Sequence, residues 1–104
     1  MFYYNVTCHA DKSVEESWVQ WMTNIHIPEV MQTGCFLECK MLKLISHDHI
    51  DNATTYAIQY LYKTPEHFEK YLQQFAEGLR EKTIKEFGNT VHAFRTQLQI
   101  LEQF

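Results

Sequence analysis

The sequence alternates between segments of two hydrophobic periodicities, and the order of these segments restricts the fold more than any other feature. Four segments, residues 2–8, 35–45, 54–62 and 91–101, have the two-residue alternation or the β-branched and aromatic content of strands. In the two longer stretches that separate the first strand from the second and the third from the fourth, apolar residues recur every three or four positions. This spacing indicates amphipathic helices. The predicted order is therefore β-α-β-β-α-β, that of a split β-α-β unit.

The first predicted helix has recognisable ends. Ser13 begins an S-x-x-E capping box, which predicts that the helix starts at Val14, and Gly34 is expected to end it. Pro28 has no N–H to donate, so the helix should kink or restart just before it. The predicted apolar stripe comprises Val14, Trp18, Trp21, Met22 and Ile25.

The second predicted helix is bounded in a similar way. Thr64 precedes Pro65, a pair typical of a helix start, and Gly88 should end the helix. Gly78 weakens its middle. The apolar stripe comprises Phe68, Tyr71, Leu72, Phe75 and Leu79.

These elements predict one α+β domain, residues 1–104, with a ferredoxin-like fold in which two helices cover one face of a four-stranded antiparallel sheet. The opposite face is predicted to mix apolar and polar groups. It comprises Tyr3, Asn5, Thr7, Phe36, Glu38, Lys40, Ala57, Gln59, Leu61, Ala93, Arg95, Gln97 and Gln99. Two such sheets packed face to face would bury the apolar members. We therefore expect a homodimer through this face, a dimeric α/β barrel.

Charge and cysteine content limit the expected partners. The net charge is -4 at pH 7 and no Lys/Arg cluster is present, so no nucleic-acid partner is expected. No apolar run is long enough to cross a bilayer and no signal peptide is recognised, which favours a cytoplasmic protein with no membrane partner. The odd cysteine count, Cys8, Cys35 and Cys39, favours reduced thiols. A zinc site formed by these and His9 would lack close ligand spacing, so no metal or cofactor is predicted.

His26 is the candidate catalytic residue. It stands just before the predicted interruption at Pro28, where its side chain would lie at the mouth of a pocket. An imidazole titrates near neutral pH and can therefore act as a base. The alternative is structural, with the ring hydrogen-bonded to loop carbonyls.

Arg95, Asn5 and Gln59 are the candidate ligand-binding residues, together with Trp21 as a wall of a cavity. The first strand of a ferredoxin-like sheet lies between the third and fourth, so the three polar side chains are expected to converge on the face away from the helices. Arginine presents a planar fork to a carboxylate, and amides add orienting hydrogen bonds. The alternatives are an interface network in which Glu38 pairs with Arg95, and simple core packing for Trp21.

A segment of metal-capable side chains, His47–Asp51, falls in the predicted turn between the second and third strands. Alternate residues of an extended segment point apart, and a lone H-x-H is a weak metal signal. A solvated hairpin loop is the favoured interpretation.

Several stretches occur in an order that covers nearly the whole chain. They are Tyr4-Asn5-Val6-Thr7, Trp18 to Gly34 with His26-Ile27-Pro28, Tyr56-Ala57-Ile58-Gln59-Tyr60, Leu79-Arg80, and Gly88 with Ala93-Phe94-Arg95-Thr96. This series resembles the domain of unknown function 4286 family of uncharacterised bacterial proteins. The resemblance implies a ferredoxin-like dimer and no established activity. Where the second helix of such proteins is expected to read His-Ala-Pro, this chain reads Phe75-Ala76-Glu77.

Three functions stay open at this point. The favoured one is binding of a small organic molecule, acidic or aromatic, in a pocket between sheet and helices. A non-catalytic interaction or structural dimer module would fill the sheet face with partner side chains and leave no cavity. A cofactor-independent monooxygenase or isomerase rests on fold analogy, which does not fix function.

Overall fold

The strands and helices lie in the predicted order. The computed structural model describes residues 1–46 and 52–104, so the predicted turn His47–Asp51 lies outside the described residues. The strands are β1 (Phe2–Asp11), β2 (Glu38–Lys43), β3 (Ala53–Tyr62) and β4 (Val91–Gln99). Helix α1 (residues 15–32) follows β1, and helix α2 (residues 65–87) follows β3.

The four strands form an antiparallel sheet in the order β2-β3-β1-β4, with β1 between β3 and β4 as predicted. The core lies between one face of this sheet and the two helices, which gives the predicted ferredoxin-like α+β fold. An aromatic cluster occupies its centre, with ring centroids 4.8–6.3 Å apart. It comprises Tyr4, Phe36, Tyr60, Tyr62, Phe68 and Tyr71.

Helix α1 contains a wide turn in its middle. It is α-helical over Glu15–Trp21, π-helical over Met22–His26 and α-helical again over Ile27–Gln32, so the restart predicted before Pro28 is confirmed. The predicted capping box does not form, because Ser13 donates its N–H and hydroxyl to Asp11 Oδ1, both at 3.0 Å. The helix ends before Gly34, whose φ of +77° requires the freedom of glycine.

Helix α2 has the same construction. It consists of Pro65–Tyr71, a π-helical turn Leu72–Ala76, and Glu77–Phe87, with the predicted start at Pro65 and end at Gly88. The wide turn adds one residue, so the buried residue that follows Tyr71 on this helix is Ala76, five positions later. Leu72, predicted in the apolar stripe, is exposed instead.

The sheet face turned away from the helices, here called the open face, differs from the predicted one on β4. It includes Tyr3, Asn5, Thr7, His9, Glu38, Lys40, Leu42, Thr55, Ala57, Gln59, Leu61, His92, Phe94, Thr96 and Leu98. Arg95 pairs directly with Val6, which faces the helices, and directly paired residues share a face. The placement of Ala93, Arg95, Gln97 and Gln99 on the open face was therefore wrong, as was that of Phe36, which precedes β2 and packs in the core.

The reversal on β4 has a physical cause. Its helix-facing side borders a cavity and not packed core, so polar Arg95 and Gln97 are tolerated there. Its apolar Phe94 and Leu98 point to the open face, the opposite of what apolar alternation alone predicts. No helix among residues 1–46 and 52–104 is long and apolar enough to cross a lipid bilayer.

Candidate functional site

A partly enclosed cavity of about 290 Å³ lies between the helices and the β1–β4 half of the sheet. Helix α1 contributes Trp18, Met22 and His26 to its walls. The full set of lining residues is Val6, Cys8, Trp18, Met22, His26, Arg80, Thr83, Ile84, Phe87, Gly88, Val91, His92, Ala93 and Arg95. The cavity therefore combines aliphatic and aromatic walls with a small number of charged and polar groups, as ligand pockets do.

The only two arginines of the sequence, Arg80 and Arg95, both line this cavity. Arg80 projects from α2, is half-buried, and donates from an Nη atom to the hydroxyl of Tyr4 at 3.1 Å. Arg95 projects from the edge strand β4 and remains solvent-exposed. The lysines of the described residues do not contribute to these walls. The guanidinium groups are thus concentrated at one place on the molecule.

Neither arginine is paired with a carboxylate within the described residues. The ion pairs there are Lys43 with Glu15 at 3.9 Å and Lys82 with Glu29 at 2.6 Å. The positive charge of the cavity is therefore not neutralised by the chain's own acidic groups in residues 1–46 and 52–104. An anion entering the cavity would meet two forked donors suited to a carboxylate.

Three polar atoms on side chains that line the cavity are buried without a hydrogen-bond partner in the described structure. They are Trp18 Nε1, His26 Nδ1 and Arg80 Nε. The indole and guanidinium nitrogens are obligatory donors, so what they lack is an acceptor. Buried donors without acceptors are rare and costly, and the two donors, Trp18 Nε1 and Arg80 Nε, belong to side chains that line one cavity.

His26 is held at the end of the π-helical turn of α1 by its neighbours. Its ring stacks on Trp21, with centroids 5.1 Å apart and planes inclined by 18°, and Trp21 meets the edge of Phe87 at 5.4 Å. Trp21 does not itself line the cavity and orients the histidine that does. The wide turn brings His26 inward and leaves Ile25, predicted in the apolar stripe, 46% exposed.

Burial lowers the pKa of His26 below its ordinary value of 6.5. The nearby positive charges of Arg95 and Lys82 act in the same direction, while Glu29 opposes them. His26 is therefore neutral at neutral pH, and one of its ring nitrogens has a free lone pair. His26 is thus a titratable group on the wall of the cavity.

Cys8 also lines the cavity but has little chemical reactivity there. Burial raises the pKa of its thiol to about 12, although Arg95 acts in the opposite direction. A thiol that stays protonated at neutral pH is a poor nucleophile and a poor metal ligand. Cys8, Cys35 and Cys39 are all free thiols.

The sequence and the fold can be compared with those of known proteins. The profile of the family described as domain of unknown function DUF4286 matches residues 1–101. The chain belongs to this family. The comparison with curated proteins finds no match to this DUF4286 protein.

Solved structures share the fold of this DUF4286 protein at low sequence identity. A dimeric ferredoxin-like protein from an uncultured marine organism has a TM-score of 0.71 and 12% identity, covering 99% of this chain and 97% of that one. An ethyl tert-butyl ether D (EthD) family protein from Bacillus halodurans C-125 has a TM-score of 0.67 and 10% identity, covering 92% and 97%. HapK from Hahella chejuensis has a TM-score of 0.70 and 7% identity, covering 100% and 97%. At such identities the likeness shows the fold alone.

The predicted convergence of Arg95, Asn5 and Gln59 in this DUF4286 protein was wrong. Asn5 and Gln59 are paired neighbours on the open face, whereas Arg95 faces the helices. Asn5 instead donates its amide to the hydroxyls of Thr7 at 3.1 Å and Thr96 at 3.3 Å. The alternative ion pair with Glu38 is also wrong, because Glu38 lies on β2, at the other edge of the sheet and on the other face.

The structure brings together His26 and Arg95, which the sequence prediction had treated as separate candidates, and adds Arg80, which it had missed. A signal for Arg80 was present in the sequence. The chain has only two arginines, and Arg80 follows directly after the apolar Leu79 of the predicted stripe. An arginine that lies next to the apolar stripe of a helix, in a chain with so few arginines, is a candidate for a side chain that faces inward.

Proposed function

We propose that this DUF4286 protein binds a small organic anion, a carboxylic acid, in the cavity between its helices and sheet. One observation carries the proposal: both arginines of the chain line the cavity, and neither has a carboxylate partner in the described residues. A bound carboxylate would supply the missing charge and accept forked hydrogen bonds from the guanidinium groups. The cavity volume, about 290 Å³, lies at the small end of ligand pockets, which run from roughly 300 Å³ upward.

The burial of Arg80 strengthens the argument. An exposed cation such as Arg95 can be hydrated, but the Nε atom of Arg80 is buried and has no acceptor. Its other contact, to the hydroxyl of Tyr4, is a bond to a neutral group and leaves the charge uncompensated. A ligand carboxylate that reaches the guanidinium groups of both arginines would compensate this charge.

The test is a titration of the protein with simple acids, benzoate and cyclohexanecarboxylate, followed by calorimetry and two-dimensional NMR. Arg80→Gln and Arg95→Gln should each weaken binding by about 10- to 100-fold, the value of one charge-assisted hydrogen-bonding group. Lys85→Gln removes one positive charge from the same helix outside the cavity, so it should leave affinity within about two-fold. Equal losses in all three variants, or no binding of any acid to the wild-type protein, would overturn the proposal.

We also propose that two copies of the protein associate with the open faces of their sheets packed against each other. On that face Leu42, Phe94 and Leu98 are 43%, 54% and 47% exposed in the protomer. Apolar side chains that share one sheet face are typical of an interface. A homodimer is consistent with the ligand site, because the cavity lies on the other side of the sheet.

The other two functions have less support. A purely structural module predicts a filled interior, a carboxylate on Arg95 and a hydrogen-bonded His26, none of which occurs among the described residues. An oxygenase or isomerase activity stays a hypothesis by fold analogy. The cytoplasmic location also stays a prediction.

A further inference from the structure

The groups needed to move a proton line the same space in this protein. His26, Arg80 and Arg95 all line the cavity of about 290 Å³, here called the main cavity, and all three also line a smaller space of about 30 Å³. The two spaces share three further walls, which are Val6, Met22 and Thr83. A titratable imidazole and both guanidinium groups of the chain therefore border one place.

The two ring nitrogens of His26 differ in accessibility. Nδ1 is buried, whereas Nε2 is not buried and makes no hydrogen bond within residues 1–46 and 52–104. In the tautomer whose proton is on Nδ1, the lone pair that a base needs is on Nε2. The ring plane is held by stacking on Trp21, with centroids 5.1 Å apart. Nε2 is therefore the nitrogen of His26 that a bound molecule can reach.

His26 also has no acidic partner among the described residues. The ion pairs there do not include it, and Glu29, the acidic group that raises its pKa, is paired with Lys82 at 2.6 Å. Burial and the charges of Arg95 and Lys82 lower the pKa of His26, so the imidazole is neutral at neutral pH. A neutral imidazole can accept a proton from a bound molecule and release it to solvent.

The arginines would stabilise the negative charge that a departing proton leaves behind. Arg80 is held in place by its hydrogen bond to the hydroxyl of Tyr4 at 3.1 Å. Positive groups fixed where negative charge develops lower the barrier of a reaction. In a 2-oxo acid the carboxylate and carbonyl oxygens are on adjacent carbons, so two forked donors can bind both.

The remaining walls of the main cavity suit an apolar substituent and offer no competing nucleophile. They include the side chains of Met22, Ile84, Phe87 and Val91. The thiol of Cys8 stays protonated, because burial raises its pKa to about 12. Among the lining residues, His26 is therefore the group suited to act as a base at neutral pH.

We propose that the main cavity catalyses proton transfer at the carbon next to the carbonyl group of a 2-oxo acid with an apolar substituent. Nε2 of His26 removes a proton from C3, the electron pair of the broken C–H bond forms the C2–C3 double bond, and the carbonyl π electrons move to oxygen. Arg80 and Arg95 stabilise the enolate, and a proton returned to carbon regenerates the neutral imidazole. The inference rests on the proposed function and adds a reaction and a substrate class.

The experiment follows 2-oxo-4-phenylbutanoate with the wild-type protein in D₂O by proton NMR. The two hydrogens on C3 are equivalent in free solution but differ in a chiral site, so the protein should replace one of them with deuterium and leave the other. The product should therefore be singly deuterated and of one handedness. The chain has six histidines, and catalysis by those on the surface would instead replace both hydrogens at equal rates.

Variants assign the reaction to the cavity. His26→Gln should slow the exchange by about 100-fold or more, the contribution of a general base, and Arg95→Gln by roughly 10- to 100-fold. Lys85→Gln, outside the cavity, should stay within about two-fold of the wild-type rate. 4-Phenylbutanoate lacks the carbonyl group, so it should inhibit the exchange by competition. It should still bind His26→Gln, which shows that this variant is folded.

The outcomes separate this inference from the proposed function. Binding of both phenylbutanoates without exchange, equal exchange of the two hydrogens, or an exchange rate that His26→Gln leaves unchanged overturns the inference and leaves the proposed function standing. Failure of benzoate, cyclohexanecarboxylate and both phenylbutanoates to bind the wild-type protein overturns both.

Discussion

At the scale of single residues, the protonation of His26 should report the arrival of an anion. The neutral form is favoured in the protein alone, because burial, Arg95 and Lys82 all lower the pKa of His26. A carboxylate bound nearby would raise that pKa, since an opposite charge favours the imidazolium. Binding is then coupled to uptake of a proton, and the affinity should increase as the pH falls from about 8 towards 6.

Calorimetry in buffers of different ionisation enthalpy measures this uptake directly. We expect fractional proton uptake by the wild-type protein with benzoate near pH 6, and almost none with His26→Gln. Arg95 stays charged throughout this range, so its substitution would lower affinity without removing the pH dependence. Proton release in the wild-type protein, or a pH dependence unchanged by His26→Gln, would contradict the assignment of His26 to the ligand site.

The orientation of single side chains on β4 was beyond what the sequence could predict. In a packed sheet the apolar members of an alternating strand face the core, and this rule placed Tyr4 and Val6 correctly. It failed for Arg95 because β4 is an edge strand with a cavity on one side and an apolar open face on the other. Both sides of such a strand violate the rule, so sequence pattern alone cannot orient it.

At the scale of secondary structure, two glycines make opposite contributions to stability. Gly34 has a φ of +77° after α1, whereas Gly78 lies in the regular helical part of α2, and neither has an atom within 4 Å of an added Cβ. Gly34→Ala should therefore lower the free energy of unfolding by about 1 kcal/mol through backbone strain alone. Gly78→Ala should raise it by a similar amount, about 0.5–1 kcal/mol, because alanine has a higher helix propensity.

Urea denaturation of the two variants and the wild-type protein tests this pair. The two substitutions add the same methyl group to open space, so each controls for the other. Midpoints that shift in the same direction would show that α1 does not end at Gly34 in the left-handed conformation, or that α2 is not regular at Gly78. The slopes of the transitions should stay equal, since neither change alters the surface that unfolding exposes.

The order of the elements was predictable from periodicity, but the wide turns were not. On α1 the inward positions Trp18, Met22, His26 and Val30 are each separated by four residues, a spacing that a regular helix cannot keep on one side. The π-helical turn supplies the extra residue per turn, and in doing so it places His26 where the predicted stripe has Ile25. Such turns often accompany functional sites, and here one positions the titratable group of the cavity.

At the scale of the whole molecule, the protomer is a flat two-layer plate. Its principal extents are 37 × 34 × 19 Å, and its radius of gyration, 13.9 Å, exceeds the roughly 13 Å expected of a compact chain of this length. A plate with helices on one side only leaves the other face of its sheet bare. Two plates joined at their open faces form a four-layer body whose apolar sheet faces are covered.

This association predicts a mass in solution of twice the 12.5 kDa of the chain. Phe94→Lys places an unpaired cation on the open face, among its exposed apolar side chains, and the protein should then sediment as a monomer at micromolar concentration. Ile25→Lys is the matched control, because Ile25 is 46% exposed on the helical side and should leave the dimer intact. Sedimentation equilibrium distinguishes these states. The Phe94→Lys monomer should still bind benzoate within about three-fold of wild type, because the residues that line the cavity all come from one protomer. A wild-type protein that is monomeric at micromolar concentration would disprove the dimer. A large loss of benzoate affinity on dissociation would mean that the partner copy completes the site.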